Sequence, residues 1–314
     1  MSQPHSIYKS KDYMETILIA GGTGLIGSKL IELLRKDFQI KILSRSPKQD
    51  SRNITYHQWD VDKLQMDVKA LECDYIINLT GAGIADSRWT NERKKILIDS
   101  RVNANKTLMH GLMTSGKKVK SIVCASAIGY YGDRGSVELT ESSDAGKEFL
   151  SKCSLEWEAS SMLLAPYAER LSILRIGIVL AKEGGALPKI LMTKNIGVLA
   201  YFGSGKQYYS WIHINDICKM FRECLLNKQA SGIYNAVAPL PLTNKDFTKV
   251  IAKSLYNPHL VVPAPAFALR LAMGEMANVV LNSNRVIPAR MTELGFEYEF
   301  EDLSKAIIDL TQKS

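Results

Sequence analysis

The chain has 314 residues, 46% of them hydrophobic and 23% charged, with a formal net charge of +8. That is long enough for a sizeable core in one or two domains and excludes a disordered or fibrous composition. No apolar run reaches a membrane span, since the richest, 260–273, carries Pro263, Pro265 and Arg270, and the five scattered cysteines hold no CxxC pair, which excludes a disulfide framework or a zinc site and suits a reducing, cytoplasmic setting.

Residues 1–15 are polar, without the apolar stretch of a secretory signal, and read as a flexible tail. From residue 16 the pattern sharpens. Thr16-Ile-Leu-Ile-Ala20 is short and β-branched, as a buried strand is. Gly21, Thr23, Gly24, Leu25, Ile26 and Gly27 form a glycine turn, and Ile26, Leu30, Leu33 and Leu34 then share one helical face. Strand, glycine turn and helix in that order mark a dinucleotide site. Glycines let the backbone turn and approach a pyrophosphate, the last lets helix and strand pack closely, and the helix N-terminus presents free N–H groups to the phosphates.

Residues 39–43 alternate as a second strand, ending at Ser44-Arg45, where the adenosine ribose lies in such folds. No acid stands there to bind a free 2′-hydroxyl, so Ser44 and Arg45 point to the 2′-phosphate of NADP(H). A third strand, 54–60, places Asp60 at its carboxyl end among the cofactor contacts. Residues 64–71 read as a short helix and 75–80 as a fourth strand. That strand closes on Leu79, Thr80, Gly81 and Ala82, whose small residues admit a ligand close to the backbone. A long charged helix over 90–113 carries Arg101, with Arg88 just before it, and either arginine can meet phosphates or an acidic substrate. The fifth strand, 121–125, leads into Ser126 and the Tyr130-Tyr131 loop. Residues 148–164 are helical and 171–176 form a sixth strand, on which Arg175 needs a partner or a ligand. Strands alternating with helices predict an α/β fold, a Rossmann-like doubly wound parallel sheet over 16–182.

Beyond 183 the glycines at 184, 185, 197, 203 and 205 break the pattern. Short strands at 211–214 and 232–235, helices at 216–226, 244–255 and 303–310, an extended connection at 258–265 and a helical run at 266–280 suggest a smaller substrate-binding region over 183–314, with some segments returning to the sheet. His213 beside Asp216 is a further candidate for chemistry. The basic clusters Arg93-Lys94-Lys95 and Lys117-Lys118-Val119-Lys120 are short, so no nucleic-acid binding is expected, and the positive surplus suits an anionic cofactor.

On Gly21-Gly-Thr-Gly-Leu-Ile-Gly27, Asn78-Leu-Thr-Gly81, Ser126 with Tyr131-Gly132 and Trp211-Ile-His-Ile-Asn-Asp216, the chain resembles the extended short-chain dehydrogenase/reductase superfamily. Ser87-Arg-Trp89, Ser100-Arg101, Trp157-Glu158, Arg175-Ile-Gly-Ile-Val-Leu180 and Arg285-Val-Ile-Pro288 make it similar to that superfamily's epimerase family proteins, often labelled nucleoside-diphosphate-sugar epimerases. The resemblance implies a bound dinucleotide, with 177–179, and so Val179, near the nicotinamide. It also implies a small-molecule substrate, in the family a sugar nucleotide. It does not supply the superfamily's Tyr-x-x-x-Lys pair, because Phe149 and Cys153 occupy those positions. The expected catalytic residues are therefore Ser126 with Tyr130 or Tyr131, in an NADP(H)-dependent oxidoreductase or epimerase. The rival reading is a non-catalytic NADP(H) sensor. No metal site and no membrane partner are expected, and the sequence leaves the oligomeric state open.

Overall fold

A computed structural model describes residues 14–312. Residues 1–13 of the expected tail lie outside the described residues. Glu15 is tied down, its carboxylate accepting from the Tyr75 hydroxyl and pairing with Lys120.

The strands in chain order are β1 (Thr16–Ala20), β2 (Gln39–Ser44), β3 (Ile54–Asp60), β4 (Gln65–Met66), β5 (Tyr75–Asn78), β6 (Val119–Ala127), β7 (Glu138–Leu139), β8 (Ala168–Ile176), β9 (Ile178–Leu180), β10 (Val198–Phe202), β11 (Tyr208–Tyr209), β12 (Trp211–His213), β13 (Gly232–Ala236), β14 (Leu242–Thr243), β15 (Leu260–Ala264) and β16 (Arg285–Val286). The helices are α1 (Leu25–Leu34), α2 (Asn91–Ser115), α3 (Phe149–Met162), α4 (Leu187–Ile190), α5 (Ile214–Leu226), α6 (Asn244–Ser254), α7 (Ala266–Met273), α8 (Asn278–Leu281), α9 (Ala289–Glu293) and α10 (Leu303–Gln312).

An eight-stranded sheet in the order β13-β8-β6-β5-β1-β2-β3-β4 forms the frame, parallel throughout except for the β3–β4 pair at its edge. Its strands are near-continuous apolar runs because both faces are covered. Ile17 and Ile19 enter the core layer that holds Leu30 and Leu34 of α1 and Ile217 and Phe221 of α5. Leu18 and Ala20 enter the opposite layer with Ala104, Leu108 and Leu112 of α2. β1 lies between β2 and β5, so the chain reverses direction across the sheet there, and the loops after β1 and β5 open a crevice at their carboxyl ends. The edge strand β13, drawn from the later half of the chain, extends the sheet through its parallel pairing with β8.

The remaining elements build a smaller layer beside that crevice, from the pairs β9–β12, β10–β15, β11–β14 and β7–β16. Three expectations need correction here. The helix expected over 64–71 is β4 followed by a 3-10 turn at Val68–Leu71, because the chain must turn sharply at Leu64, with φ 53°, to bring β4 back against β3. The extended connection at 258–265 contains a true strand, β15, which runs parallel to β10 and tolerates Pro263 because only one of its edges is bonded. The helical run at 266–280 is broken at Gly274, whose φ of +62° lies in the left-handed region, so α7 ends there and α8 starts after one more 3-10 turn.

Candidate functional site

The glycine turn closes at the end of β1. Gly21 has φ +81° and sits against Leu79, the first residue after β5, whose backbone carbon would lie 3.0 Å from an added Cβ. Gly27 is buried where α1 crosses the turn, and a Cβ there would lie 2.4 Å from the Gly21 carbonyl oxygen. Gly24 is different. Its φ of −79° suits any residue and a Cβ would make only an ordinary contact at 3.4 Å, so its requirement for glycine concerns the space outside the turn. No side chain caps α1 and no acid stands in its first turn, which leaves its N-terminal amides open to an anion. Thr23 is exposed on this turn, and Ile26 is half-buried at the helix start.

Arg45 is exposed at the end of β2, and the Ser44 hydroxyl donates to the Ser46 carbonyl at 2.7 Å, holding the bend after the strand. Asp60 ends β3 and accepts from the amides of Asp62 and Lys63, which holds its carboxyl below the usual range. Across the crevice, the Thr80 amide donates to Asn78 at 3.0 Å, while the Thr80 hydroxyl is buried without a partner. Gly81 and Ala82 lead on to Arg101, whose guanidinium carbon would lie 2.9 Å from a Cβ at Gly81. The turn also reaches across to the second layer, for Leu25 packs against Gly184 and Gly185.

Gly185, Val179 and Arg101 all line one cavity of about 330 Å³. Ala127, Ile128 and Gly129 contribute from the loop after β6, Leu150, Cys153 and Trp157 from α3, and Tyr208, Tyr209 and Val279 from the second layer. Arg101 is only 6% exposed. Its Nη1 donates to the Leu97 carbonyl and its Nη2 to the Ala82 carbonyl, and it lies over the Trp157 ring at 4.7 Å. Its Nε and the Trp157 Nε1 are buried donors without an acceptor. Burial holds the guanidinium below its ordinary pKa, with Cys153 and Arg93 as the neighbouring groups. A buried cation with an unused donor on a cavity wall calls for an acceptor from a ligand.

The expected catalytic residues are not in this cavity. Ser126 is 2% exposed and donates to Glu158 Oε1 at 2.7 Å. Tyr131 is fully buried, donates to Asn235 Oδ1 at 2.6 Å, accepts from Arg175 Nη1 at 3.0 Å, and has its phenol pushed up to about 12 by burial. Tyr130 lays its ring over the Arg175 guanidinium at 3.4 Å. Arg175 itself makes a two-pronged pair with Glu158, Nε to Oε1 at 2.8 Å and Nη2 to Oε2 at 2.9 Å. Burial opposes its charge, but Glu158 more than offsets that and raises its pKa. The physical reason for this placement is the pair with Glu158. An arginine buried on β8 takes Glu158 of α3 as counter-ion, the Tyr131 hydroxyl and the Tyr130 ring contact the guanidinium, and Ser126 donates to the carboxylate. Arg175, expected at the cofactor, spends its donors there.

His213 is engaged in local contacts away from the cavity. Its Nδ1 accepts the Asn215 amide as the N-cap of α5, its Nε2 lies 3.4 Å from Asp309, and burial lowers its pKa to about 4. Arg88 donates to the carbonyls of Leu271 and Ala272 at the end of α7. Phe149 stacks edge-on against Trp89, and Lys152 faces solvent beside Glu156. Glu158 carried the one available sequence signal for the buried pair, a carboxylate among small and aromatic residues on the inner face of a helix. Nothing in the local pattern marked the cavity roles of Trp157, Tyr208 or Val279.

Comparison with known proteins agrees with this fold. Residues 17–236 match the NAD dependent epimerase/dehydratase family, and residues 264–310 match a domain of unknown function, DUF1731. An epimerase family protein of Staphylococcus aureus (strain NCTC 8325 / PS 47) is 34% identical over 303 residues, 96% of this chain and 100% of the relative. Among solved structures, the human epimerase family protein SDR39U1 (isoform2) with NADPH superposes with a TM-score of 0.85 at 27% identity, covering 95% of this chain and 100% of that one. A nucleoside-diphosphate sugar epimerase from Corynebacterium glutamicum gives 0.74 at 29% identity, covering 94% of this chain and 57% of that one.

Proposed function

Since the chain belongs to the NAD dependent epimerase/dehydratase family and is a dinucleotide-binding protein, we propose that it binds NADPH and exchanges hydride with a small carbonyl or carbinol substrate. One observation carries this reading. Gly185, on the wall of the cavity at Val179 and Arg101, packs against Leu25 at the uncapped start of α1, and Arg101 reaches back to the Ala82 carbonyl. A cofactor with its phosphates on the glycine turn would have this cavity beside it for its reactive end. The residues fit such a group. The cradle at Gly24 has room outside the turn, and the unpartnered Thr80 hydroxyl and Arg101 Nε stand along the path.

Arg45 and Ser44 would hold the 2′-phosphate, and the amides at 24–27 the pyrophosphate. Arg101 would donate Nε to a ribose or phosphate oxygen, and Val179 with Ala127 would flank the nicotinamide. Bound there, NADPH would supply a hydride for a substrate carbonyl carbon, whose oxygen would need a proton from the protein or water. Of the two phenols lining the cavity, Tyr209 is committed to the Val280 carbonyl at 2.7 Å. Tyr208 or water is thus the proton source this reading favours. A second reading, an NADPH-binding sensor without turnover, is favoured by the withdrawal of Ser126, Tyr130 and Tyr131 into the Arg175 network. Deuterium transfer from labelled NADPH to a carbonyl panel, followed by mass spectrometry, separates the two. Deuterated carbinol supports the enzyme, and NADPH binding without transfer to any member supports the sensor.

A further inference from the structure

The cavity also carries information about what it accepts. We infer that its substrate is a compact, apolar-bodied carbonyl compound bearing neither phosphate nor carboxylate, and not a sugar nucleotide. The inference rests on the NADPH reading above, because it counts what that cofactor leaves behind.

Size comes first. About 330 Å³ stands at the low end of the roughly 300–1,000 Å³ usual for ligand pockets, and the nicotinamide end of the cofactor must enter the same space. What remains suits a ring or a short branched body. It does not suit a sugar joined to a nucleoside diphosphate.

Charge and polarity come second. Arg101 is the single charged side chain among the described residues lining the cavity. With its free donor given to the cofactor, no cation remains to meet a diphosphate or a carboxylate, and an anion buried there would go uncompensated. Much of the rest is apolar or aromatic, with Ile84, Ile128, Leu150, Trp157, Ile176 and Ile178, and of its polar side chains Tyr209, Ser210 and Asn284 already donate to backbone carbonyls. Such a wall rewards apolar contact and leaves Ser154, Tyr208 and Asn282 as few polar partners for the many hydroxyls of a sugar.

A small side chamber of about 40 Å³ points the same way. It shares Gly129, Leu150, Val279, Asn282 and Asn284 with the cavity and holds roughly one water-sized group. Its two charged residues, Glu148 and Glu275, are both acids. Glu275 is paired with Lys94, and Glu148 accepts from the amides of Asp133 and Lys147, so it stays ionised. The chamber offers acceptors to a hydroxyl or amino group and no cation to an anion.

The test uses full-length protein and begins with an NADPH titration by nicotinamide fluorescence. Absence of NADPH binding would remove the functional reading, and this inference with it. The NADPH-loaded protein is then titrated calorimetrically with acetophenone, with phenylglyoxylate, which adds a carboxylate to the same body, and with UDP-glucose. Acetophenone is expected to bind in the millimolar range or better, phenylglyoxylate at least about tenfold more weakly, and UDP-glucose not measurably. Val279→Trp, at a half-exposed position on the wall, should weaken acetophenone by about tenfold while NADPH affinity stays within about twofold. Tighter binding of UDP-glucose or phenylglyoxylate than of acetophenone, or no binding of acetophenone by a protein that binds NADPH, overturns the inference.

Discussion

Replacing Glu158 by alanine tests the assignment of the Ser126–Tyr131 region to structure instead of chemistry. The carboxylate is the only acidic partner described for Arg175, which is 2% exposed and held by two short contacts of 2.8 and 2.9 Å. Its removal leaves a buried guanidinium uncompensated and the Ser126 hydroxyl without an acceptor. Breaking a buried pair in this way costs about 3–5 kcal/mol. Unfolding entropy scales with length to roughly 0.7 kcal/mol per kelvin for 314 residues, so the midpoint should fall by about 4–8 °C. Replacing both partners, Glu158→Ala with Arg175→Met, should recover a large part of that loss, since an apolar pair carries no stranded charge. Circular dichroism melts with denaturant titrations measure both variants. The companion variant Tyr131→Phe should cost about 1–3 kcal/mol, because Asn235 and Arg175 lose a buried partner, and should leave hydride transfer unchanged. An E158A protein within about 0.5 kcal/mol of wild type would refute the reasoning. So would Ser126→Ala or Tyr131→Phe variants of full stability whose hydride transfer drops by about a hundredfold.

Gly24→Val should fold normally, because φ there is −79°, yet lose dinucleotide affinity by at least about tenfold in a fluorescence titration. Gly27→Ala should instead destabilise the fold by about 1–3 kcal/mol in denaturant melts, since its Cβ would meet the Gly21 carbonyl at 2.4 Å. Acid should weaken the fold as pH drops from about 6.5 to about 4. His213 is neutral in the folded state over that window and protonated in the unfolded one, so its contribution is present above pH 6.5 and lost below. His213→Asn, which keeps a cap acceptor on α5, should flatten the midpoint-versus-pH curve in that window.

The sheet was readable in advance because its signals are local. Thr16–Ala20, the glycine turn and the face of Leu30 and Leu34 each carry their meaning within a few residues. Breaks also obeyed local chemistry, but chemistry of conformation that composition hides: Leu64 at φ 53° turned a presumed helix into a hairpin, and Gly274 at +62° split another. The candidate site divides along the same line. Gly21, Gly24, Gly27 and Arg45 lie on turns set by adjacent strands, and their placement at the crevice follows from sequence. Ser126, Tyr130, Tyr131 and Arg175 could not be placed that way, because their positions depend on Glu158 from another helix. Once a buried arginine takes that carboxylate, the Tyr130 ring and Tyr131 hydroxyl pack on the arginine and the Ser126 hydroxyl on the carboxylate. Arg101 lies between these cases. It stood out as a charge on a helix, but that it has no acidic partner among the described residues appears only when α2, α3 and the loop after β5 meet.

Cofactor preference is the central claim most directly open to measurement. Calorimetric titration of the wild-type protein with NADPH and NADH, repeated on Arg45→Asp, decides it. The account predicts NADPH binding at least about tenfold tighter than NADH, with Arg45→Asp removing that advantage and sparing NADH. Equal affinity for the two cofactors in the wild type, or an unchanged preference in the variant, would contradict it.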